Sequence, residues 1–287
     1  MNSKDVALLM GVNVSTIKRW TDANKLPCYQ TPGGHRKFTL GHINEFLKNN
    51  KNKIQKVNLI ELKGLKDKEL IHHIEHAEFT KLIPIFLKAA IEANQVKINT
   101  IITGLYLKGL QLEIIYDNLV SPVMHTIGDL WVEGKLNIAK EHLASEVIRK
   151  AIYDLGESLT TDLPDDAPTA ICFGITGDEH ELPLIMTKQI LELNGVRTFN
   201  IGRNMPVNSL LDMVDNSQPQ YLIISANYND NPKNIIKEIN KLVSFIGNRK
   251  MKLFVGGNCA KMVKDTFGDM IVIIQNMHEL INKVNKI

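Results

Sequence analysis

The sequence predicts a multidomain α and α/β protein, with a small head, a central helical bundle and a C-terminal sheet of parallel strands. Three observations lead to this fold class. Residues 1–58 hold ten basic and three acidic residues, a formal balance of +7. Apolar residues then recur at helical spacing from about 66 to 160, where strand signals are almost lacking. From residue 169 onward, short β-rich runs alternate with helical patterns, which favours a parallel sheet covered by helices.

Length and composition exclude several classes of protein. The chain has 287 residues, 44% hydrophobic and 23% charged, which is enough for two or three domains with buried cores. No apolar run approaches the roughly 20 residues that span a bilayer, and the first residues lack the pattern of a secretion signal. Three scattered cysteines without a CxxC pair argue against a disulfide framework or a thiolate zinc site. We therefore expect a cytoplasmic protein without membrane contact.

The head follows the order of a winged helix-turn-helix. Helices are predicted over 3–10, 14–22 and about 40–49, and a β-rich segment from Leu26 to Phe38 is broken at Pro32-Gly33-Gly34 to form the wing. In this geometry the second helix presents polar side chains to base edges, while cations contact phosphates. The excess positive charge then meets double-stranded DNA, although a domain with merely solvated basic residues is the alternative. The candidate DNA-binding residues are Ser15, Thr16, Lys18, Arg19, Tyr29, Gly34, His35, Arg36 and Lys37.

The residues of the head also resemble a known family. Val6-Ala7, Gly11-Val12, Thr16 to Trp20 and especially Thr31 to Phe38 are similar to the DNA-binding domain of MerR regulators. The resemblance covers residues 1 to about 48. It implies operator binding as a dimer at repeated sites, and hence a homo-oligomer. We place this domain at 1–56, with a polar, basic linker over 48–56.

The middle of the chain, residues 66–160, is predicted to form a four-helix bundle. Pro84, Pro122 and the stretch from Val132 to Asn137 are expected to separate its helices. His72, His73 and His76 are interpreted as a solvated helix face rather than a metal cluster.

The C-terminal part, residues 168–287, is predicted to be a flavodoxin-like, doubly wound parallel sheet of Rossmann-like character. Ligands of such sheets bind beyond the carboxyl ends of the strands. The strands are predicted at about 169–175, 196–202, 221–227, 252–258 and 270–274, and the helices near 181–194, 206–216, 232–247 and 276–285.

One histidine, His180, lies where the first of these strands ends and a helix begins. A neutral imidazole can coordinate a transition metal through one ring nitrogen, while a nearby carboxylate such as Asp178 holds the other N–H. A solvated ion pair between the histidine and its acidic neighbours is the alternative.

Asp178-x-His180, Ser225 and Gly256-Gly257 together resemble the cobalamin-binding fold of corrinoid proteins. The resemblance implies that His180 is the lower axial ligand of the cobalt, which enters only as part of the corrin. It also implies that the serine and the glycines make room for the displaced base of the cofactor. Pro183 stands where the family pattern has a glycine. Glu179 and Asn227 complete the candidate cofactor residues of this domain.

The bundle carries a second resemblance. Trp131, followed after nine residues by Glu141-His142, is similar to the cap motif of cobalamin-sensing MerR regulators, the CarH/LitR-like photoreceptors. There these residues lie over the upper face of the corrin. Light-sensing members have a histidine directly after the tryptophan, where this chain has Val132. His142 is nearer than His125 as an alternative upper ligand.

These resemblances imply a DNA-binding transcriptional regulator, expected to be a repressor, and not an enzyme. It would bind adenosylcobalamin, with methylcobalamin as the alternative form. Light would act on the bound corrin and thereby change the dimeric or tetrameric state of the protein. One alternative is a regulator with a degenerate cobalamin pocket that works by dimerisation or partner binding. Another is a corrinoid methyl-transfer protein.

Overall fold

The structure is a computed structural model that describes residues 1–50, 67–159, 162–227, 232–247 and 249–285. It divides into two compact units, Met1–Thr160 and Thr161–Ile287. The greater part of the predicted linker over 48–56 and the domain limits at 56, 66 and 160 lie outside the described residues, so the division into three domains stays a prediction.

The first part of unit 1 has the three helices and the two-stranded wing predicted for the head. Asn2 begins the first helix as a capping box, because its side chain accepts from the N–H groups of Lys4 and Asp5 at 2.8 and 3.1 Å. The buried side chains include Ile17 and Phe38, and Trp20 packs on Phe46 with ring centroids 4.8 Å apart. The elements are α1 (Ser3–Leu9), α2 (Val14–Asp22), β1 (Tyr29–Gln30), β2 (Arg36–Lys37) and α3 (Leu40–Asn49).

The rest of unit 1 is the predicted bundle, with four long helical rods and one short helix in front of them. The rods bury an almost wholly apolar interior around Phe86, Ile101 and Tyr116. The helices are α4 (Lys68–Glu75), α5 (Phe79–Ile91), α6 (Gln95–Leu107), α7 (Leu112–Ile115), α8 (Ser121–Val132) and α9 (Ile138–Glu157).

Two predicted breaks of the bundle are wrong. Pro84 lies inside α5, and Pro122 lies in the first turn of α8, which continues α7 through a π-helical turn at Tyr116–Val120. A proline cannot donate the N–H that an α-helix requires, and the π turn just before Pro122 absorbs the mismatch without ending the rod. The third break is confirmed: Gly134, with φ +71°, follows the end of α8.

Unit 2 is the predicted doubly wound sheet. Its five parallel strands stand in the order β4-β3-β5-β6-β7, so the chain starts in the interior and reverses direction once. Such a reversal creates a crevice at the carboxyl ends of β3 and β5. The strands are β3 (Thr169–Ile175), β4 (Arg197–Met205), β5 (Tyr221–Ser225), β6 (Lys252–Gly256) and β7 (Val272–Ile274).

Helices of unit 2 cover the sheet, and one of them was not predicted. The short helix between β6 and β7 escaped prediction because Gly256-Gly257 precedes it and its apolar stripe is only two turns long. Ala260, Val263 and Phe267 nevertheless pack into the core. The helices are α10 (Leu182–Leu193), α11 (Val207–Ser217), α12 (Pro232–Ile246), α13 (Ala260–Phe267) and α14 (Met277–Val284).

Candidate functional site

A buried carboxylate organises the carboxyl ends of β3 and β5. Asp178 follows β3 after a tight turn in which its N–H donates to the carbonyl of Ile175 at 2.8 Å, and its side chain is only 1% exposed. One carboxylate oxygen accepts from His180 twice, from the backbone N–H at 2.9 Å and from Nδ1 at 2.7 Å. The aspartate therefore fixes both the loop and the imidazole that follows it.

The second oxygen of Asp178 binds the end of β5. It accepts from Oγ of Ser225 at 2.7 Å and from the backbone N–H and Nδ2 of Asn227 at 3.1 and 3.2 Å. Burial by itself raises the pKa of Asp178, but the hydrogen bonds from His180, Ser225 and Asn227 outweigh it and lower that pKa below its ordinary value. The group is therefore a stable carboxylate that accepts and does not donate.

The ring of His180 is oriented as a metal ligand would be. Because an ionised carboxylate can only accept, Nδ1 carries the proton in this contact, and Nε2 is the nitrogen with a lone pair for a metal. The side chain is 56% exposed although Asp178 beneath it is buried. An anchored and accessible imidazole of this kind can coordinate a transition metal through Nε2.

Glu179, between these two residues, bonds to β4 instead. Its carboxylate accepts from Nδ2 of Asn204 at 2.7 Å and lies 3.4 Å from Nε of Arg203. Asn204 was missed in the sequence, where a polar residue before Met-Pro carries no distinctive signal. Its φ of +52° lies in the left-handed region, which few residues other than glycine and asparagine adopt.

The two predicted glycines differ in what they require. Gly257 has φ +99°, and a Cβ there would lie 2.5 Å from the carbonyl oxygen of Ala226. At Gly256 the nearest atom to an added Cβ is the carbonyl oxygen of Ile274 at 3.5 Å, an ordinary contact. A glycine is therefore required at position 257, where the ends of β5 and β6 approach each other closely, but not at position 256.

Pro183 stands in the first turn of α10, after Glu181 as the N-cap residue. The first N–H groups of a helix have no partner within it, so a proline there removes no helical hydrogen bond. The departure from the corrinoid pattern therefore leaves α10 and its start unbroken.

In unit 1 the predicted cap residues lie around the turn between α8 and α9. Trp131 is 48% exposed and Val132 77% exposed, and they are joined by the exposed side chains of Ile138 and Leu143. We call these four side chains the bundle patch. All four lie within residues 131–143, on the two sides of the turn that joins α8 to α9.

The acidic and imidazole groups next to the bundle patch are held in place. The carboxylate of Glu141 accepts from Oγ of Ser145 at 2.9 Å and contacts Nδ1 of His142 at 2.6 Å. They lie in the first turns of α9, whose N-cap Asn137 accepts from the N–H of Lys140 at 2.9 Å.

The head exposes its candidate DNA-binding side chains on α2 and the wing. Ser15, Lys18 and Arg19 of α2 are exposed and Thr16 is partly exposed; on the wing Tyr29, Gly34, His35 and Lys37 are exposed. Arg36 differs, because its guanidinium pairs with Asp22 at the end of α2 at 2.5 Å. This pair ties the wing to the second helix.

The wing turn is closed by local hydrogen bonds. The N–H of Gly34 donates to the carbonyl of Thr31 at 2.8 Å, and the N–H of His35 donates to Oγ1 of Thr31 at 3.1 Å. Gly34 has φ +75°, a conformation that favours glycine.

The histidines of α4 need a correction. His73 is buried and contacts the carboxylate of Glu78, so the interpretation of all three as a solvated face is wrong for this residue. It faces inward because Leu70 and Ile74, its neighbours on the helix, are buried as well. Within the described residues, no group of three or more His, Cys, Asp or Glu is arranged to hold a metal ion.

None of the helices in the described part of the chain is both long and apolar enough to cross a membrane.

Family models match two segments of the chain, and both segments lie in unit 1. Residues 1–51 match the helix-turn-helix domain family, and residues 84–155 match the B12 binding domain family. The HTH-type transcriptional repressor CarH of Myxococcus xanthus is 25% identical over 146 residues, which are 51% of this chain and 48% of that protein. The chain thus matches about half the length of this curated relative.

A solved structure shares the fold. The monomethylamine corrinoid protein of Methanosarcina barkeri superimposes with a TM-score of 0.59 and 16% identity, over 72% of this chain and 98% of that one. Two segments of the chain are thus similar to a helix-turn-helix domain and to a B12 binding domain, and its mixed α and α/β fold is similar to that of a corrinoid protein.

Proposed function

We propose that this protein is a transcriptional regulator whose binding to operator DNA responds to bound cobalamin. The observation that carries the proposal is the imidazole of His180, held through Nδ1 by the buried carboxylate of Asp178. A chain with a histidine that can hold the cofactor and with a helix-turn-helix head has both the ligand-sensing and the DNA-binding part of a regulator. The likeness to a transcriptional repressor supports the same assignment.

The residues present fit the cofactor. His180 would hold the cobalt from below, Asp178 would orient the ring, and Ser225 and Asn227 would hold Asp178. Trp131 and the Glu141-His142 pair stay the proposed contacts of the upper ligand. When bound, adenosylcobalamin would supply a cobalt–carbon bond that visible light can break.

The finer parts of the proposal concern the effect of the ligand. We take adenosylcobalamin as the bound form, repression as the output, and a homo-oligomer as the form that binds DNA. Light would change the oligomer and with it the spacing of the DNA-binding heads, since two heads must match two half-sites. Because Val132 stands where light-sensing members of the family have a histidine, His142 is the histidine proposed to lie nearest the upper face of the corrin.

The first prediction concerns cofactor retention. Protein mixed with adenosylcobalamin in the dark and passed through a desalting column is expected to keep the corrin colour, whereas His180→Ala is expected to lose at least nine tenths of it. The alanine removes the proposed bond from His180 to the cobalt. Absorption of the eluted protein measures this, and His72→Ala, at an exposed histidine on α4, is the matched control.

The same samples test regulation. Elution volume and affinity for a duplex selected by the protein from a random pool are measured without cobalamin, with it in the dark, and after green light. A change on loading supports the regulator, and a further change on illumination supports light sensing. A colourless wild-type protein would contradict cobalamin binding and favour the degenerate pocket. Unchanged DNA affinity on loading would contradict regulation by the corrin.

The second prediction concerns the DNA contact of α2. Replacing Lys18 by alanine is expected to reduce the slope of log Kobs against log salt by about 0.9, because one phosphate contact and its released counterion are lost. Titrations of a random duplex at several salt concentrations measure the slope. Lys88→Ala, an equally exposed lysine on α5, should leave it unchanged. If the wild type, Lys18→Ala and Lys88→Ala had equal slopes, the phosphate contact would be made by residues other than Lys18.

A further inference from the structure

Asn204 joins β4 to the loop that carries His180 at three points. Its Oδ1 accepts from the N–H of Gly177 at 2.9 Å, its Nδ2 donates to Glu179 at 2.7 Å, and its backbone N–H donates to the carbonyl of Asp178 at 3.0 Å. These partners are three consecutive residues that end directly before His180. One side chain and one amide therefore span most of the loop.

The backbone of β4 is shaped to make these contacts. The pairing of β3 with β4 shifts twice, so that β4 has one extra residue between the partners of Cys172 and Phe173 and another between those of Phe173 and Ile175. Gly202 and Asn204 have positive φ angles of +95° and +52°. Asparagine tolerates this left-handed conformation better than most side chains. The bulges bend this end of β4, which brings Asn204 to the loop while Met205 still pairs with Ile175.

The approach is also close. A Cβ on Gly174 would lie 3.2 Å from both Cα of Arg203 and the carbonyl oxygen of Asp178. Arg203 adds a contact from Nη1 to the carbonyl of Glu179 at 3.3 Å. The loop is thus held from two sides, by β5 through the carboxylate of Asp178 and by β4 through Asn204.

Resting on the proposed function, we infer that Asn204 is a positioning residue for the cobalt ligand His180. Asp178 orients the imidazole ring, but it can do so only if the backbone of Gly177 to Glu179 keeps its place. The hydrogen bonds of Asp178 to β5 hold the side chain, and those of Asn204 hold the backbone and the next side chain. Loss of Asn204 therefore loosens the loop without touching the ligand itself.

The test variant is Asn204→Gly. Glycine adopts a φ of +52° without strain, so the change removes the two side-chain hydrogen bonds and keeps the backbone conformation available. The matched control is Gln218→Gly, since Gln218 is an exposed residue of the same unit with φ +40°, near the amino end of β5. Both variants carry the same cost of an added glycine in the unfolded chain.

The readout is ligation of the cobalt, not regulation. Full-length protein with 15N-labelled histidine is loaded with cob(II)alamin, and its electron paramagnetic resonance spectrum is recorded. A nitrogen-15 ligand splits each cobalt line into two, whereas the cofactor's own base, with nitrogen-14, splits it into three. Wild-type protein without the two-line pattern would contradict the proposed function itself, independently of Asn204.

For Asn204→Gly we expect the two-line pattern to fall at least threefold and the corrin to dissociate about tenfold faster, the scale of a lost outer contact to a metal ligand. Gln218→Gly should behave as wild type in both measurements. An unchanged pattern in Asn204→Gly, or an equal change in Gln218→Gly, would overturn the assignment.

A rescue experiment covers the case in which Asn204→Gly does not fold. Asn204→Asp keeps the acceptor for Gly177 but places two carboxylates against each other at the contact with Glu179, and it should weaken ligation. Adding Glu179→Gln restores the hydrogen bond in the reverse direction, because the amide of the glutamine can donate to the carboxylate introduced at position 204. Recovery of the two-line pattern in the double variant supports a positioning role, and no recovery contradicts it.

Discussion

Replacing Asp178 by alanine is expected to lower the free energy of unfolding of unit 2 by about 3 kcal/mol, because a buried acceptor with several donors around it is lost. Ser225 and the N–H of Asn227 would have no acceptor in a buried place, while the half-exposed His180 can turn to water. Cobalamin affinity should fall tenfold to a hundredfold as well, because the ring is no longer oriented.

Hydrogen exchange of peptides from β3 and β5 measures the first effect in the full chain. Both tryptophans, Trp20 and Trp131, belong to unit 1, so tryptophan fluorescence would follow the wrong unit. Asp215→Ala is the control, because Asp215 forms an exposed ion pair with Arg249 at 2.8 Å that is worth at most about 1 kcal/mol. Equal exchange rates for the two variants would show that Asp178 does not hold the strand ends.

Replacing Gly257 by alanine should have a similar or larger effect on stability, about 3 kcal/mol or more. The added Cβ would lie 2.5 Å from the carbonyl oxygen of Ala226 and 2.9 Å from Oδ1 of Asn227, in a backbone conformation that disfavours alanine. That carbonyl accepts from the N–H of Cys259 at 2.9 Å, so it cannot move away without a further loss.

The same exchange measurement on β5 and β6 tests this expectation, and Gly256→Ala is its matched control. Gly256 is the preceding residue, and a Cβ there makes only an ordinary contact at 3.5 Å. Its replacement should change stability by less than about 1 kcal/mol. If both alanines were tolerated equally, the close approach at Gly257 would not limit stability.

Much of the fold is predictable from local pattern. The helices of the head, β3 and α10 begin and end within about two residues of the predicted limits, because capping residues such as Asn2 and the apolar periodicity act over a few positions. The errors have local causes too. Pro84 and Pro122 predicted breaks, but α5 continues through Pro84 and a π-helical turn precedes Pro122 without ending the rod.

The sequence by itself determined the succession of head, helices and parallel sheet, the strand–helix alternation and the choice of His180 as a candidate ligand, because each rests on residues that are close together in the chain. Only the tertiary structure decided what surrounds that ligand. Asp178 meets Ser225 and Asn227 across 47 and 49 residues, and Glu179 meets Asn204 across 25. These contacts follow from sheet order and from a bulge in β4, and neither leaves a periodic trace in the sequence.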